Sequence, residues 1–250
     1  MRQKLLMGNW KMNKSYSQAV DIAQQLSYRA SDFSGVETVV CPPFTSLKGV
    51  QNVFSFDNTP IKLGAQDVFW EENGAYTGFI SAEMLKDLSV SYCIIGHSER
   101  RQNAGDTDED IQKKAQALLK YGITPVICVG EPPVVHEARN SSDFVIEQLA
   151  RALSGLEGAK DLVIAYEPIW AIGSGNVAAP EFAGEVCHAL RVVVEKAFGK
   201  GFADKTRVLY GGSVMAENAG AYLMQDDIDG LLVGSASLDE NSFSAIAKQM

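Results

Sequence analysis

The sequence predicts an α/β fold: a (β/α)8 barrel of eight parallel strands surrounded by eight helices. Three observations carry this. Eight short apolar, β-branched-rich runs alternate with eight helix-like segments, spaced at roughly the 30 residues of one strand–helix unit. The runs are apolar throughout rather than at alternate positions, as strands covered on both faces require. No linker or shift of composition divides the 250 residues, so residues 1–250 read as one domain. An open doubly wound sheet would want a Gly-rich turn after the first strand, and Gly8-Asn9-Trp10-Lys11 is not one.

The elements follow in order. Leu5 to Trp10 reads as a strand, and Ser15 as the cap of a helix running to about Ala30, with Ala19, Ile22, Ala23 and Leu26 on one face. Val36 to Cys41 is a second strand, stopped by Pro42-Pro43, and a helix from about Thr45 to Val53 follows. Ile61 to Gln66 is the third strand. The segment from Asp67 to Ile80 has neither helical nor strand period, and loops of that length in compact folds are often functional. A helix starts near Ser81, and Tyr92 to Gly96 is the fourth strand, running straight into His97-Ser98-Glu99-Arg100-Arg101. An amphipathic helix from Ile111 to Lys120 ends at Gly122, a fitting stop. Thr124 to Val129 is strand five, with Glu131-Pro132-Pro133 after it, and a helix spans about Ser142 to Leu153. Leu162 to Ala165 is strand six. A long helix covers Glu181 to Phe198, strand seven is Arg207 to Tyr210, a short helix covers Ala216 to Leu223, strand eight is Gly230 to Val233, and a helix closes the chain from Glu240 to Lys248.

Composition narrows the function. The formal net charge of −9 argues against nucleic acid as the main partner. It also opposes an anionic ligand at long range, so an anion site must be built from local dipoles and one or two cations. No apolar run approaches the ~20 residues of a membrane span, and the N-terminus does not read as an export signal; a cytoplasmic protein is expected. Cys41, Cys93, Cys128 and Cys187 are far apart and show no ligand spacing, so they read as buried thiols in a reducing compartment. Neither they nor His97, His136 and His188 make a metal pattern, so no metal is expected.

In a barrel of this kind, chemistry belongs at the C-terminal ends of the strands. This sequence places there Asn9 and Lys11 after strand one, His97 after four, Glu167 after six, Gly211-Gly212-Ser213 after seven and Gly234-Ser235 after eight. Each has a plainer reading: a solvated lysine, a capping histidine, a strand-end carboxylate, tight turns. The barrel brings all of them to one rim. Together they make one carboxylate base, one imidazole, one cation and two corners of backbone N–H groups that suit a phosphate. That set fits proton abstraction beside a carbonyl in a small sugar phosphate. After Glu167, Pro168 and the apolar Ile169 to Ile172 run to Gly173 and Gly175, a pattern that suggests a hinged lid over the base.

Five collinear motifs resemble triosephosphate isomerase across essentially the whole chain: Asn9 to Asn13, Gly96 to Arg101, Ala165 to Gly173, Tyr210 to Val214 and Leu232 to Gly234. The resemblance implies interconversion of dihydroxyacetone phosphate and glyceraldehyde 3-phosphate without a cofactor. It implies Glu167 as base, neutral His97 as electrophile and Lys11 as the cation, with Asn9 beside it. It further implies a phosphate held by N–H groups of Gly173, Ser213, Gly234 and Ser235, a lid from Pro168 to about Ala178 latched by Tyr210 and Ser213, and a homodimer joined through the loop around Thr77. Departures from the family's pattern are Phe79 and Asp106 where glutamates are usual, Ser174 for Thr, Asn176-Val177 in the lid, and Ser235 for Gly. The first two bear on Arg100, whose partners in the family they would be.

Overall fold

A computed structural model describes residues 2–172 and 176–250. Gly173 and Ser174, expected in the lid and the phosphate grip, lie outside the described residues. Eight strands of the described residues close into one parallel barrel in chain order. They are β1 (Leu5–Asn9), β2 (Glu37–Cys41), β3 (Lys62–Ala65), β4 (Tyr92–Ile95), β5 (Thr124–Val129), β6 (Val163–Tyr166), β7 (Arg207–Tyr210) and β8 (Gly230–Val233). The barrel closes where β1 pairs with β8, Leu5 opposite Gly230 and Gly8 opposite Val233. All eight runs read as strands from sequence are strands, within a residue or two at their ends.

The helices among the described residues are α1 (Tyr16–Tyr28), α2 (Leu47–Phe56), α3 (Ala82–Asp87), α4 (Ser98–Asn103), α5 (Asp108–Lys120), α6 (Pro133–Glu137), α7 (Ser141–Leu153), α8 (Pro180–Phe198), α9 (Lys200–Ala203), α10 (Ala216–Leu223) and α11 (Glu240–Ala247). Capping explains several boundaries. The Gln18 side chain accepts the Ser15 N–H before α1 (3.0 Å), and the Ser81 hydroxyl accepts from Met84 N–H at the start of α3 (3.3 Å). Pro180 opens α8 at a position where its missing N–H costs nothing. Gly122, with φ +65°, ends α5 in the left-handed region. Three short helices, α4, α6 and α9, were not expected. Each has six residues or fewer, too few to show an apolar period.

Two layers of side chains explain why the strands are apolar throughout. Leu6, Val40, Leu63, Cys93, Ile95, Ile127, Ile164, Val208 and Leu231 point outward under the helices. Leu5, Met7, Val39, Tyr92, Ile94, Val126, Cys128, Val163, Ala165, Leu209 and Leu232 fill the interior. Each fully buried Leu or Ile contributes about 1.5–3 kcal/mol relative to exposure. The two-residue period of a strand then decides what reaches the C-terminal rim. Asn9 stands two positions beyond Met7, Glu167 two beyond Ala165, Gly211 two beyond Leu209 and Gly234 two beyond Leu232.

The opposite end of the barrel is polar and filled. Glu37 takes hydrogen bonds from Lys62, Tyr92 and Arg207, and Arg207 also donates to the Tyr92 hydroxyl. All four cysteines are buried and free. No helix of the described residues is long and apolar enough to cross a membrane.

Candidate active site

A cavity of about 470 Å³ opens at the C-terminal rim, lined among others by Asn9, Lys11, His97, Glu167, Ser213, Gly234 and Ser235. The residues expected to act together therefore share one concavity, apart from the undescribed Gly173.

Glu167 is held from both sides. Its main chain follows β6, and its N–H donates to the Val129 carbonyl (2.8 Å). Gly130 has to be glycine, because a methyl there would overlap the Glu167 carbonyl oxygen. Glu167 is 2 % exposed. One carboxylate oxygen sits 2.9 Å from His97 Nε2, and the other accepts the Ser98 N–H at 3.3 Å. Gly211 leaves room for it: a Cβ there would lie 3.0 Å from Glu167 Cγ.

His97 comes from the end of β4. Gly96 adopts φ +69° and turns the chain, and His97 then caps α4 by accepting the Glu99 N–H on Nδ1 (3.2 Å). The plain reading of His97 as a cap holds, and the residue also lines the cavity. Burial opposes charge on His97 and on Glu167, but their contact outweighs it: His97 is pushed above its ordinary range and Glu167 held below its own. A neutral ring satisfies both neighbours, since Nδ1 accepts from Glu99 and Nε2–H donates to Glu167. A ring protonated on both nitrogens gains with Glu167 but loses the Glu99 bond, which only the neutral ring can accept.

Lys11 adopts φ +52°, a strained left-handed conformation for a residue with a side chain. Its surroundings enforce it. The Asn9 side-chain oxygen accepts the Lys11 N–H (3.0 Å), and Gln66 Nε2 donates to the Lys11 carbonyl (2.9 Å) and to that of Cys41 (2.8 Å). Lys11 Nζ donates to Glu99 at 2.7 Å, and its stem passes Gly234, where a Cβ would sit 3.5 Å from Lys11 Cε. Glu99 thus offsets part of the one cation that sequence reasoning placed at the rim.

The two glycine corners differ. After β7, a Cβ on Gly212 would strike the Tyr210 hydroxyl, and Ser213 Oγ donates to the Ala171 carbonyl at 2.6 Å. This ties the β7 corner to the segment after Glu167. After β8, Ser235 opens a 3-10 turn, Ser235–Leu238, closed by Ser237 Oγ on the Gly234 carbonyl (2.7 Å).

Sequence reasoning missed Ser98, Gln66 and Glu131. Glu131 is fully buried after β5, and one of its carboxylate oxygens accepts from both Tyr166 Oη (3.0 Å) and Trp170 Nε1 (2.7 Å), the residues that bracket Glu167. Its signal was present, because Glu131-Pro132 repeats the strand-end Glu-Pro pattern of Glu167-Pro168. Ser98 and Gln66 act through a main-chain N–H and a distant carbonyl, which residue type does not announce.

The comparisons agree with this geometry. The family model for triosephosphate isomerase matches residues 4–250. The triosephosphate isomerase of Saccharopolyspora erythraea is 46 % identical over 98 % of this chain and 96 % of its own. Those of Thermoanaerobacter sp. and Alkaliphilus oremlandii are 46 % and 45 % identical, each over 98 % of this chain and 99 % of their own. With a full-length match to the family model and this identity to its members, the chain belongs to the triosephosphate isomerase family.

Proposed function

We propose that this chain interconverts dihydroxyacetone phosphate and D-glyceraldehyde 3-phosphate by proton transfer through an enediolate. The observation that carries the reading is the buried Glu167–His97 pair, 2.9 Å apart, facing a cavity shared with Lys11 and both glycine corners. Glu167 takes the proton from the carbon beside the carbonyl, and the C–H electrons become the C=C of the enediolate. The carbonyl oxygen gains negative charge, which His97 Nε2–H and Lys11 stabilise. Glu167 returns the proton to the neighbouring carbon, and His97 carries the hydroxyl proton between the two oxygens. The division into a Glu base and a neutral His electrophile is the family's own, not deduced from this site alone. What supports it here is the Glu99 N–H on Nδ1, which favours the neutral ring. The reaction is redox-neutral and calls for no cofactor.

Before it can reach a substrate, Glu167 must leave Ser98 N–H and give His97 Nε2 to the carbonyl. N–H groups of Gly173, Ser213, Gly234 and Ser235 hold the phosphate, with Asn9 and Lys11 opposite. Pro168 to about Ala178 forms the lid that excludes water. The chain works as one barrel domain, in the cytoplasm, as a homodimer through the loop around Thr77.

Isomerase turnover of glyceraldehyde 3-phosphate by wild type and Glu167→Gln tests the reading. A positioned base is worth roughly 10²- to 10⁴-fold, so a folded variant slower by at least the lower figure is expected. Equal rates would reject Glu167 as the base, and an inactive, folded wild type would reject the activity.

A further inference from the structure

His136 lies outside the cavity, on α6, yet its imidazole stacks on the indole of Trp170, centroids 3.8 Å apart and planes 15° from parallel. Trp170 belongs to the 3-10 turn Ile169–Ala171, which begins two residues after Glu167. That turn is fastened along its length. Trp170 Nε1 bonds the Glu131 carboxylate, the Ile169 N–H bonds the Glu131 carbonyl (3.2 Å), and the Ala171 carbonyl takes the Ser213 hydroxyl. The other Glu131 oxygen is buried with no hydrogen-bond partner among the described residues. His136 Nδ1 lies 3.9 Å from the bonded oxygen and 3.3 Å from the Ser141 hydroxyl that opens α7.

We propose that His136 is a positioning residue for the base: through its stack on Trp170, its charge governs how firmly the Ile169–Ala171 turn is held, and the imidazolium form restrains turnover. This rests on the reading of Glu167 as the base. A substrate draws Glu167 away from His97 and Ser98, which pulls on the chain at Pro168 and on the turn beyond. A neutral imidazole lets Trp170 follow. A charged one attracts the indole face beneath it and the Glu131 carboxylate beside it, and both attractions oppose the movement. The groups around the ring support this assignment. Phe182 of α8 meets the ring in a T-shaped contact, centroids 5.5 Å apart, and carries no charge. Arg139 and Asp143 border the same surface pocket with opposite charges, and Glu137 is the chain neighbour on α6. Glu131 is therefore the carboxylate placed to gain from protonation. The ring is partly open to solvent, and histidine is the side chain type whose charge changes nearest neutral pH.

The test follows tryptophan emission, kcat and KM of the full chain from about pH 8 to pH 5, in wild type, His136→Phe and His136→Gln. The phenyl ring keeps the stack and cannot titrate; the glutamine variant serves if the phenylalanine one misfolds. An imidazolium quenches an adjacent indole, so wild-type emission is expected to fall in a single-proton step that Trp170→Phe abolishes. Over that step the ratio of wild-type to variant kcat is expected to fall roughly two- to fivefold, with KM ratios unchanged. A constant kcat ratio, or no emission step in wild type, would overturn the proposal. A wild type inactive at every pH would sink the isomerase reading while the emission step still registered, so the two failures are distinguishable.

Discussion

Tyr210 ends β7 with its hydroxyl buried near the Tyr222 hydroxyl and the Ala178 carbonyl, but without a well-formed hydrogen bond among the described residues. Its neighbour Tyr222 stacks on it at 4.0 Å and donates instead to the Ala178 carbonyl (2.8 Å). A buried unpaired hydroxyl costs free energy, so removing it relieves a cost. Tyr210→Phe is therefore expected to keep or raise the melting temperature. If the hydroxyl instead pairs during turnover as a latch, the same variant also releases more methylglyoxal per isomerisation, because the enediolate loses phosphate when poorly enclosed. An unchanged methylglyoxal ratio would reject the latch. The sequence named Tyr210 but could not show how its hydroxyl is packed, with Gly212 so close that a Cβ there would strike it. Arg100 makes the same point. Its pairing was in question because Phe79 and Asp106 replace the expected acids. Asp106, one methylene shorter, still reaches Arg100 at 2.9 Å and Lys114 at 2.6 Å, while Asp67 bonds the same two cations at 3.0 and 2.8 Å. Asp67 stands 33 positions before Arg100, and only the pairing of β3 with β4 makes them neighbours.

At the scale of elements, β2, β3, β4 and β7 each send one polar residue to the end of the barrel away from the cavity: Glu37, Lys62, Tyr92 and Arg207. Burial opposes the Glu37 charge, but hydrogen bonds from Lys62 and Tyr92 and the nearby Arg207 outweigh it and hold the carboxyl below its ordinary range. A folded-state value below the unfolded one means that this group's stabilisation is complete above the unfolded glutamate value, about 4.3. It is lost as pH falls through the folded value. Thermal unfolding of wild type is therefore expected to steepen its pH dependence below about pH 4.3, and Glu37→Gln to flatten that limb. Parallel curves for the two proteins would remove Glu37 from the acid response. The strands were legible because an apolar run of four to six residues between breakers is a local signal. The polar residue at the start of each run was not interpretable alone, since its partners come from other strands.

For the whole molecule, the loop after β3 is already packed against itself. Phe79, 51 % exposed, stacks on Phe69 at 4.2 Å, and Phe69 also meets Tyr76 at 4.9 Å and Trp70 at 4.1 Å. With Arg100 engaged by two carboxylates of its own chain, the proposed homodimer would join through apolar rather than ionic contact at Phe79. Sedimentation equilibrium across a range of salt is expected to give a nearly constant dimer affinity; a steep fall with added salt would contradict apolar docking. Fold class and the rim residues were legible from sequence because a barrel turns strand order into a ring, so position along the chain already gave position around the rim. What the loops do between strands, as at His136, was not legible, because it depends on contacts between one loop and the next; the Glu-Pro pattern marked Glu131 but not its partners.

The filled interior carries one last consequence. Core side chains from Leu5 to Leu232 pack the barrel, and the Glu37 cluster closes its far end. The cavity at the rim is thus a blind alley, and whatever enters by its mouth must back out the same way. Ketose and aldose cannot queue. Each must vacate before the other is admitted, so each blocks the other's conversion competitively, and the traffic is decided by which of the two waits outside in greater number.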